Sequence, residues 1–437
     1  MTGDARYAAA LERLSSLARF GVRPGLEPIA RVLEALGHPE RAVPALHVAG
    51  TNGKGSTAAF SDAILRAAGA RVGLYTSPHL ARFTERIRAG GPSGSAEIAR
   101  DRCASLVERV MAAAGGDALT FFEVATAAAF LFFAEERVDL SVIEVGLGGR
   151  FDATACCAPF ATVITGIALD HTALLGTTTA AIAGEKAGIA RAGVPLVVGA
   201  VDEAASESIT AHAVAVGAPL VRLGSELSVA TDGERIDYRG PGGALDGALL
   251  GLAGEHQARN AALALAATSF APGFRPDERA RREGVAHARW PGRLEWIAPD
   301  LLLDAAHNPD GAAALARALD RLAPLRFTLL CGALADKDVD GVLAALLPKV
   351  ARAVCTRPDS PRALAAEALA ARVRALAPSL PVVAIDALHD ALAEARRTGP
   401  VIGCGSIFLV GALRALSTGE PIDPRTVGDP LPIGTPH

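Results

Sequence analysis

The chain has 437 residues, of which 50% are apolar and 21% charged, and its net charge is −4. That length predicts two or three domains with sizeable cores, and the near-neutral charge leaves no electrostatic reason to expect nucleic acid or an anionic membrane as a partner. Six cysteines (Cys103, Cys156, Cys157, Cys331, Cys355 and Cys404) form no Cys-x-x-Cys pair and read as free thiols in a reducing cytosol rather than zinc ligands. The first thirty residues carry Asp4, Glu12, Arg13 and Arg19, so no signal-peptide apolar region is present there. The longest apolar-rich stretch, 124–134, falls short of the roughly 20 residues of a membrane-spanning helix. The expectation is a soluble, cytoplasmic, monomeric protein that acts on small molecules.

In chain order, helical periodicity over 6–18 leads through a Gly/Pro stretch at 21–28 into a second helix at 29–36. An apolar run at 43–48 reads as a strand; a glycine-rich turn and an alanine-rich helix at 57–68 follow it. Further strands are expected at 71–75, 138–145, 161–167 and 194–198, separated by helices such as 98–114 and 124–136. Alternation of this kind predicts a largely parallel sheet with helices on both faces and ligands beyond the carboxyl ends of its strands. Short strands at 219–223, 226–230 and 235–238 predict a small antiparallel elaboration, and a helix at 256–267 closes this half. Beyond a Gly/Pro-marked linker at 289–293 a second series begins, with strands at 301–304, 327–331, 353–355, 381–385 and 400–403. The fold class expected is α/β: a mainly parallel phosphate-loop domain over 1–292, a smaller Rossmann-like α/β domain over 293–420, and an irregular tail over 421–437.

The turn Gly50-Thr51-Asn52-Gly53-Lys54-Gly55-Ser56 has the layout of a phosphate-binding loop. Glycines let backbone N–H groups point at phosphate oxygens, the following helix presents its positive end, and the lysine adds a point charge. The general Gly-x-x-x-x-Gly-Lys-Ser/Thr pattern fails, because Val48 stands at its first glycine and Gly55 separates Lys54 from Ser56. An ordinary strand-to-helix turn asks for one glycine and a cap, not for this whole set. Ser77, Glu144 and His171 follow other predicted strands, and a parallel sheet gathers them beside the loop as a set suited to Mg²⁺ between phosphate and protein. Singly, each has an ordinary explanation as a cap, a surface ion pair or a core histidine. Glu144 is the hardest to explain by packing, since an unpaired buried charge is costly.

With Thr76-Ser77-Pro78-His79-Leu80, Glu144-Val145-Gly146-Leu147-Gly148-Gly149-Arg150-Phe151-Asp152-Ala153-Thr154, Ala168-Leu169-Asp170-His171-Thr172, Glu185-Lys186-Ala187-Gly188-Ile189, Trp290-Pro291-Gly292-Arg293 and Asp304-Ala305-Ala306-His307-Asn308-Pro309 in place, the chain resembles the folylpolyglutamate synthase/dihydrofolate synthase family of the Mur ligase superfamily. The resemblance runs from residue 46 to about 406, and the short glycine loop is the superfamily's own form. It implies ATP held by Thr51, Asn52, Gly53, Lys54, Gly55 and Ser56, with Asn260, Arg293, Asp304, His307 and Asn308 completing the nucleotide site. It further implies Mg²⁺, as two ions, held by Ser56, Ser77, Glu144, His171 and a carbamylated Lys186, with a monovalent cation as an additional cofactor. Lys54, Lys186 and His171 are the catalytic candidates. For the pterin-bearing substrate it implies Gly25, Leu26 and Glu27 near the N-terminus, then Thr120, Phe121, Phe122 and Glu123, with Phe151, Asp152 and Ala153 completing the pocket. Pro28 replaces a more usual basic residue. The implied reaction joins L-glutamate to dihydropteroate or tetrahydrofolate at the expense of ATP. Two other readings stand beside it: a peptidoglycan-precursor ligase sharing the ATP loop and the lysine, and a nucleotide-dependent switch without covalent chemistry.

Overall fold

A computed structural model of the chain describes residues 3–17, 25–116 and 118–424. The Gly/Pro turn at 21–24 and the tail beyond 424 lie outside the described residues. Seventeen strands form three sheets among those described. In the first sheet, β1 (Pro44–Ala49), β2 (Val72–Tyr75), β5 (Leu140–Glu144), β6 (Ala158–Ile164), β7 (Leu196–Val198) and β8 (Leu220–Arg222) run parallel. A hairpin of β3 (Ile87–Gly91) and β4 (Gly94–Glu97) extends its edge antiparallel to β2, giving the order β4-β3-β2-β5-β1-β6-β7-β8. A small antiparallel sheet follows, from β9 (Ser228–Thr231), β10 (Arg235–Arg239) and β11 (Leu245–Leu249). The third sheet, β12 (Glu295–Ala298), β13 (Leu301–Leu303), β14 (Phe327–Cys331), β15 (Val350–Cys355), β16 (Val382–Ala384) and β17 (Val401–Cys404), has the order β12-β13-β17-β14-β15-β16 and is parallel except for β12.

The apolar runs mark strands buried on both faces, and the packing follows from their period of two. Leu46 and Val48 of β1 face a core shared with the helices Lys54–Ala67, Glu255–Thr268 and Glu278–His287. Ala45, from the same strand, faces the opposite core with Gly3–Leu17, Arg100–Ala113 and Phe121–Glu135. In the third sheet Leu302, Leu329 and Ile402 point one way and Leu301, Leu303, Leu330 and Val401 the other. Phe121–Glu135 is apolar around nearly its whole circumference and accordingly lies buried.

Three expectations are corrected. Leu220–Arg222 does not join the small antiparallel sheet; its apolar centre pairs parallel with β7 as the last strand of the large sheet. The phosphate-loop helix begins at Lys54, not at 57, because Gly53 in the left-handed region (φ 87°) ends the turn and starts the helix. The β3–β4 hairpin, β11, β12 and the polar helix Glu278–His287 had not been expected at all. Residues 421–424 form neither helix nor strand, and Asp423 among them is buried against the first half of the chain.

Candidate functional site

Strands β1, β2, β5 and β6 all end on one side, and the residues after them line one cavity of about 440 Å³. Its floor is the glycine loop. Gly50 has φ 145°, and a Cβ there would sit 1.9 Å from Thr165 Oγ1; a Cβ on Gly53 would meet Asn260 Oδ1 at 2.5 Å. Only glycine admits these approaches with positive φ. The loop is braced from behind: the Thr51 N–H donates to Gly166 O at 2.8 Å, and the Ala168 N–H donates to Thr51 Oγ1 at 3.1 Å. Lys54 Nζ donates to Thr51 O at 3.2 Å, and Ser56 is buried in the first turn of the helix.

Glu144, Lys186 and His171 come to this loop from three other elements. Glu144 ends β5 and is 4% exposed, with one hydrogen bond, from the Ser77 N–H at 3.1 Å. Burial pushes its carboxyl up to about 7 against the pull of Lys54 and Arg293. Lys186 is 5% exposed on the helix Thr179–Ala187, and its Nζ donates to Gly50 O at 3.0 Å. Burial first, then the neighbouring Lys54 charge, pull its ammonium down to about 7. His171, in left-handed backbone with φ 50°, keeps its side chain 45% exposed, and the surrounding protein together with the Lys337 charge pulls its imidazole below the ordinary value. No group of three or more His, Cys, Asp or Glu side chains suited to a cation occurs among the described residues. A metal held here would need hydroxyl or ligand oxygens beside Glu144, and a buried carboxylate with one hydrogen bond has the hard oxygen donors that fit Mg²⁺.

The opposite wall is built differently. Thr120 caps the helix Phe121–Glu135: its hydroxyl accepts the Glu123 N–H, and Glu123 accepts the Thr120 N–H at 2.7 Å, a reciprocal capping box. Asp152 accepts the N–H groups of Gly146, Leu147 and Thr154 at 3.1, 2.9 and 3.0 Å and also the Thr154 hydroxyl. These bonds fold the glycine run onto the cavity. Phe122 and a half-exposed Phe151 supply its apolar surface.

The third wall comes from beyond the linker. Asp304 accepts the Leu294 N–H at 3.0 Å and the Ala306 N–H at 2.9 Å, which sets Arg293 and His307 on the cavity. His307 is kept neutral to about pH 4, mainly by burial, and its Nδ1 donates to Ala305 O at 2.8 Å.

Of the residues singled out in the sequence, four do not line the cavity. Phe121 is wholly buried against Phe83, with ring centroids 5.8 Å apart, and beneath the Arg86 guanidinium. Leu26 packs into the N-terminal core, and Glu27 is exposed in the first turn of the helix Glu27–Ala35, its carboxylate beside Gly25. Asn308 caps the helix Pro309–Arg321 and donates to Asn52 Oδ1 at 3.0 Å, so it holds the loop rather than facing a ligand. The other candidates, Gly25, Thr51, Asn52, Gly53, Lys54, Gly55, Ser56, Ser77, Thr120, Phe122, Glu123, Glu144, Phe151, Asp152, Ala153, His171, Lys186, Asn260, Arg293, Asp304 and His307, all do.

Sequence reasoning missed the Asp170–Lys337 pair. The two groups meet at 2.7 Å with both side chains nearly covered, joining the first sheet's loops to the second half of the chain. Burial would raise the Asp170 carboxyl, but Lys337 and His171 together hold it below the usual carboxylate range. Asp170 lies in the Ala168-Leu169-Asp170-His171-Thr172 motif; its partner lies 167 residues on, with no local signal. His47 was also missed: wholly buried in β1, its Nε2 lies 2.8 Å from Thr154 Oγ1 and so braces Asp152 from behind.

Two α/β units sharing a cavity above a glycine loop define the Mur ligase class. The family model for the Mur ligase middle domain matches residues 48–268, and that for the Mur ligase glutamate ligase domain matches 292–406. The dihydrofolate synthase/folylpolyglutamate synthase of Mycobacterium tuberculosis is 40% identical over 446 residues, covering 92% of this chain and 91% of that one. A Haloferax volcanii protein described as a probable bifunctional folylpolyglutamate synthase/dihydropteroate synthase is 38% identical; this chain spans only 51% of its length. The solved structure of Escherichia coli FolC in complex with DHPP and ADP superposes with a TM-score of 0.87 at 34% identity, covering 94% of this chain and 97% of that one. The chain belongs to the folylpolyglutamate synthase/dihydrofolate synthase family. It is thus an ATP-dependent acid–amino-acid ligase, and neither the peptidoglycan-precursor reading nor the non-catalytic switch is retained. No helix among the described residues is long and apolar enough to cross a membrane.

Proposed function

We propose that this chain joins L-glutamate to a pteroate- or folate-type carboxylate using ATP, as a monomeric cytoplasmic enzyme with domains dividing near residue 292. What carries the reading is a single cavity on which the glycine loop, the Glu144–His171–Lys186 group and the apolar Phe122–Phe151 wall meet. The ATP phosphates lie on residues 51–56. A substrate carboxylate oxygen attacks the γ-phosphorus and ADP leaves; the glutamate amine then attacks the acyl carbon of the resulting acyl phosphate and phosphate leaves. Lys54 and Arg293 neutralise charge on the transferring group, and the pterin ring rests against Phe122 and Phe151. Mg²⁺, when bound by Ser56, Ser77, Glu144, His171 and Lys186, supplies charge neutralisation at the phosphates.

Lys186 carries a carbamate in the active protein. Its ammonium is already pulled down to about 7, so a large share is neutral amine near physiological pH, the form that adds CO₂ with loss of a proton. The carbamate replaces a cation by an anionic oxygen ligand where divalent ions collect. The test is ADP and phosphate release by the purified chain, assayed in parallel with dihydropteroate and with tetrahydrofolate. Release that requires both glutamate and one of these acids supports the reading. Release independent of both contradicts it.

A further inference from the structure

The last described residues return to the first half of the molecule. Asp423 is 7% exposed; its carboxylate accepts the Tyr7 hydroxyl at 2.5 Å and the Phe83 N–H at 2.7 Å, and its own N–H donates to Ala81 O at 2.9 Å. Three residues earlier, Glu420 lies between Arg82 at 2.8 Å and Arg414 at 2.5 Å. Arg414 belongs to the helix Ile407–Thr418, which rests on the backbone of Leu80: a Cβ added at Gly411 would stand 2.0 Å from the Leu80 oxygen. A carboxylate this deeply buried is tolerated only when its lone pairs are used. None of Asp423, Glu420 or Arg414 reaches the cavity, so ligand binding does not explain them.

These contacts converge on residues 80–83, and hydrogen bonds continue from there to the site. Glu85 collects the N–H groups of Leu80, Ala81 and Arg82 at 2.7, 3.2 and 3.0 Å. Arg86 Nε donates to His79 Nδ1 at 2.9 Å, and the Thr76 N–H donates to Arg86 O at 3.0 Å. The next residue, Ser77, donates its N–H to Glu144. We propose that Asp423 is a positioning residue for the ligase reaction: with Glu420 it forms a strap that pins residues 80–83 and thereby holds Ser77 and Pro78 in the cavity wall against the Glu144 carboxylate. The proposal rests on the reading of Ser77 and Glu144 as part of the site.

The full chain carrying Asp423→Ala is compared with wild type by amide hydrogen exchange and by steady-state kinetics. Exchange in peptides covering 76–86 is expected to rise about tenfold, since a buried N–H loses its acceptor, while exchange in β1 and in Lys54–Ala67 stays unchanged. The half-saturating Mg²⁺ concentration should rise and kcat fall severalfold, with KM for ATP within about twofold, because the glycine loop is untouched. Asp423→Asn, which keeps an acceptor oxygen for the Phe83 N–H, should lie between. Glu420→Gln changes a partly exposed residue and should give the same pattern at about two- to threefold. Exchange unchanged at 76–86, or raised equally along the whole chain, overturns the positioning role. Faster exchange at 76–86 and lower kcat with an unmoved Mg²⁺ titration sustain the strap and overturn instead the metal role of Ser77 and Glu144.

Discussion

Two walls of the same cavity carry buried carboxylates, and they treat them in opposite ways. Asp152, in the wall opposite the loop, is also pushed up by burial, but it receives four hydrogen bonds that work against the rise. Glu144, beside the loop, receives one, and its neighbours Lys54 and Arg293 are too few to offset burial. Lys186 is in the same position with the opposite sign, a buried amine with one carbonyl acceptor. A charge whose bonds are satisfied internally shapes the wall; a charge left with bonding capacity is available to a ligand. In the sequence only Glu144 stands out, as a carboxylate at the end of an apolar run; nothing there marks Asp152 as internally bonded.

The comparison breaks first at Lys54 and Lys186. Lys54→Ala should lower kcat by on the order of 10²–10³-fold, the usual cost of removing one group that stabilises transition-state charge, with the melting temperature little changed. Lys186→Ala should reduce turnover by a similar factor yet bind ATP nearly as wild type in a titration, and short-chain carboxylates should restore part of the rate. Full turnover by either variant would remove it from the charged wall.

The next effect is on stability and has a sign fixed by pH. The folded-state value for Glu144 is raised from 4.5 to about 7, so its contribution to stability is fully present below about 4.5 and is lost as pH rises through 7. Glu144→Gln should therefore be more stable than wild type at pH 8, in EDTA and without nucleotide, by on the order of 3 kcal/mol, and no more stable at pH 4. Its Mg²⁺ requirement should rise at the same time, since an amide is a weaker ligand for a hard cation. Denaturant unfolding at the two pH values and a Mg²⁺ titration of activity check both halves.

The smallest effect belongs to the satisfied wall. Glu123→Gln keeps an acceptor but loses the charge of the capping box, and should cost about 0.5–1 kcal/mol in the same unfolding assay. A larger drop in activity than in stability would move Glu123 to the other class.

Much of the fold was legible because strands buried on both faces are continuous apolar runs that glycine turns punctuate. The phosphate loop was legible because its glycines, lysine and hydroxyls are adjacent in sequence. The β3–β4 hairpin escaped because Arg88, Ser95 and Glu97 break any apolar pattern and its stability comes from pairing with β2. Thr120 and Glu123 carry a local signal of their own, the spacing of a capping box, beside the resemblance that assigns them to the substrate pocket. Asp423 and Lys337 were not legible at all, since Tyr7 and Asp170 lie 416 and 167 residues from them.

Unfolding Glu144→Gln and Asp152→Asn side by side at pH 8 in EDTA shows whether the two walls hold their carboxylates for different ends. In Asp152→Asn an amide must turn its own N–H toward backbone donors, so stability should fall by about 1–3 kcal/mol. Opposite signs are expected, Glu144→Gln above wild type and Asp152→Asn below it; two variants destabilised alike would mean that both carboxylates serve the fold.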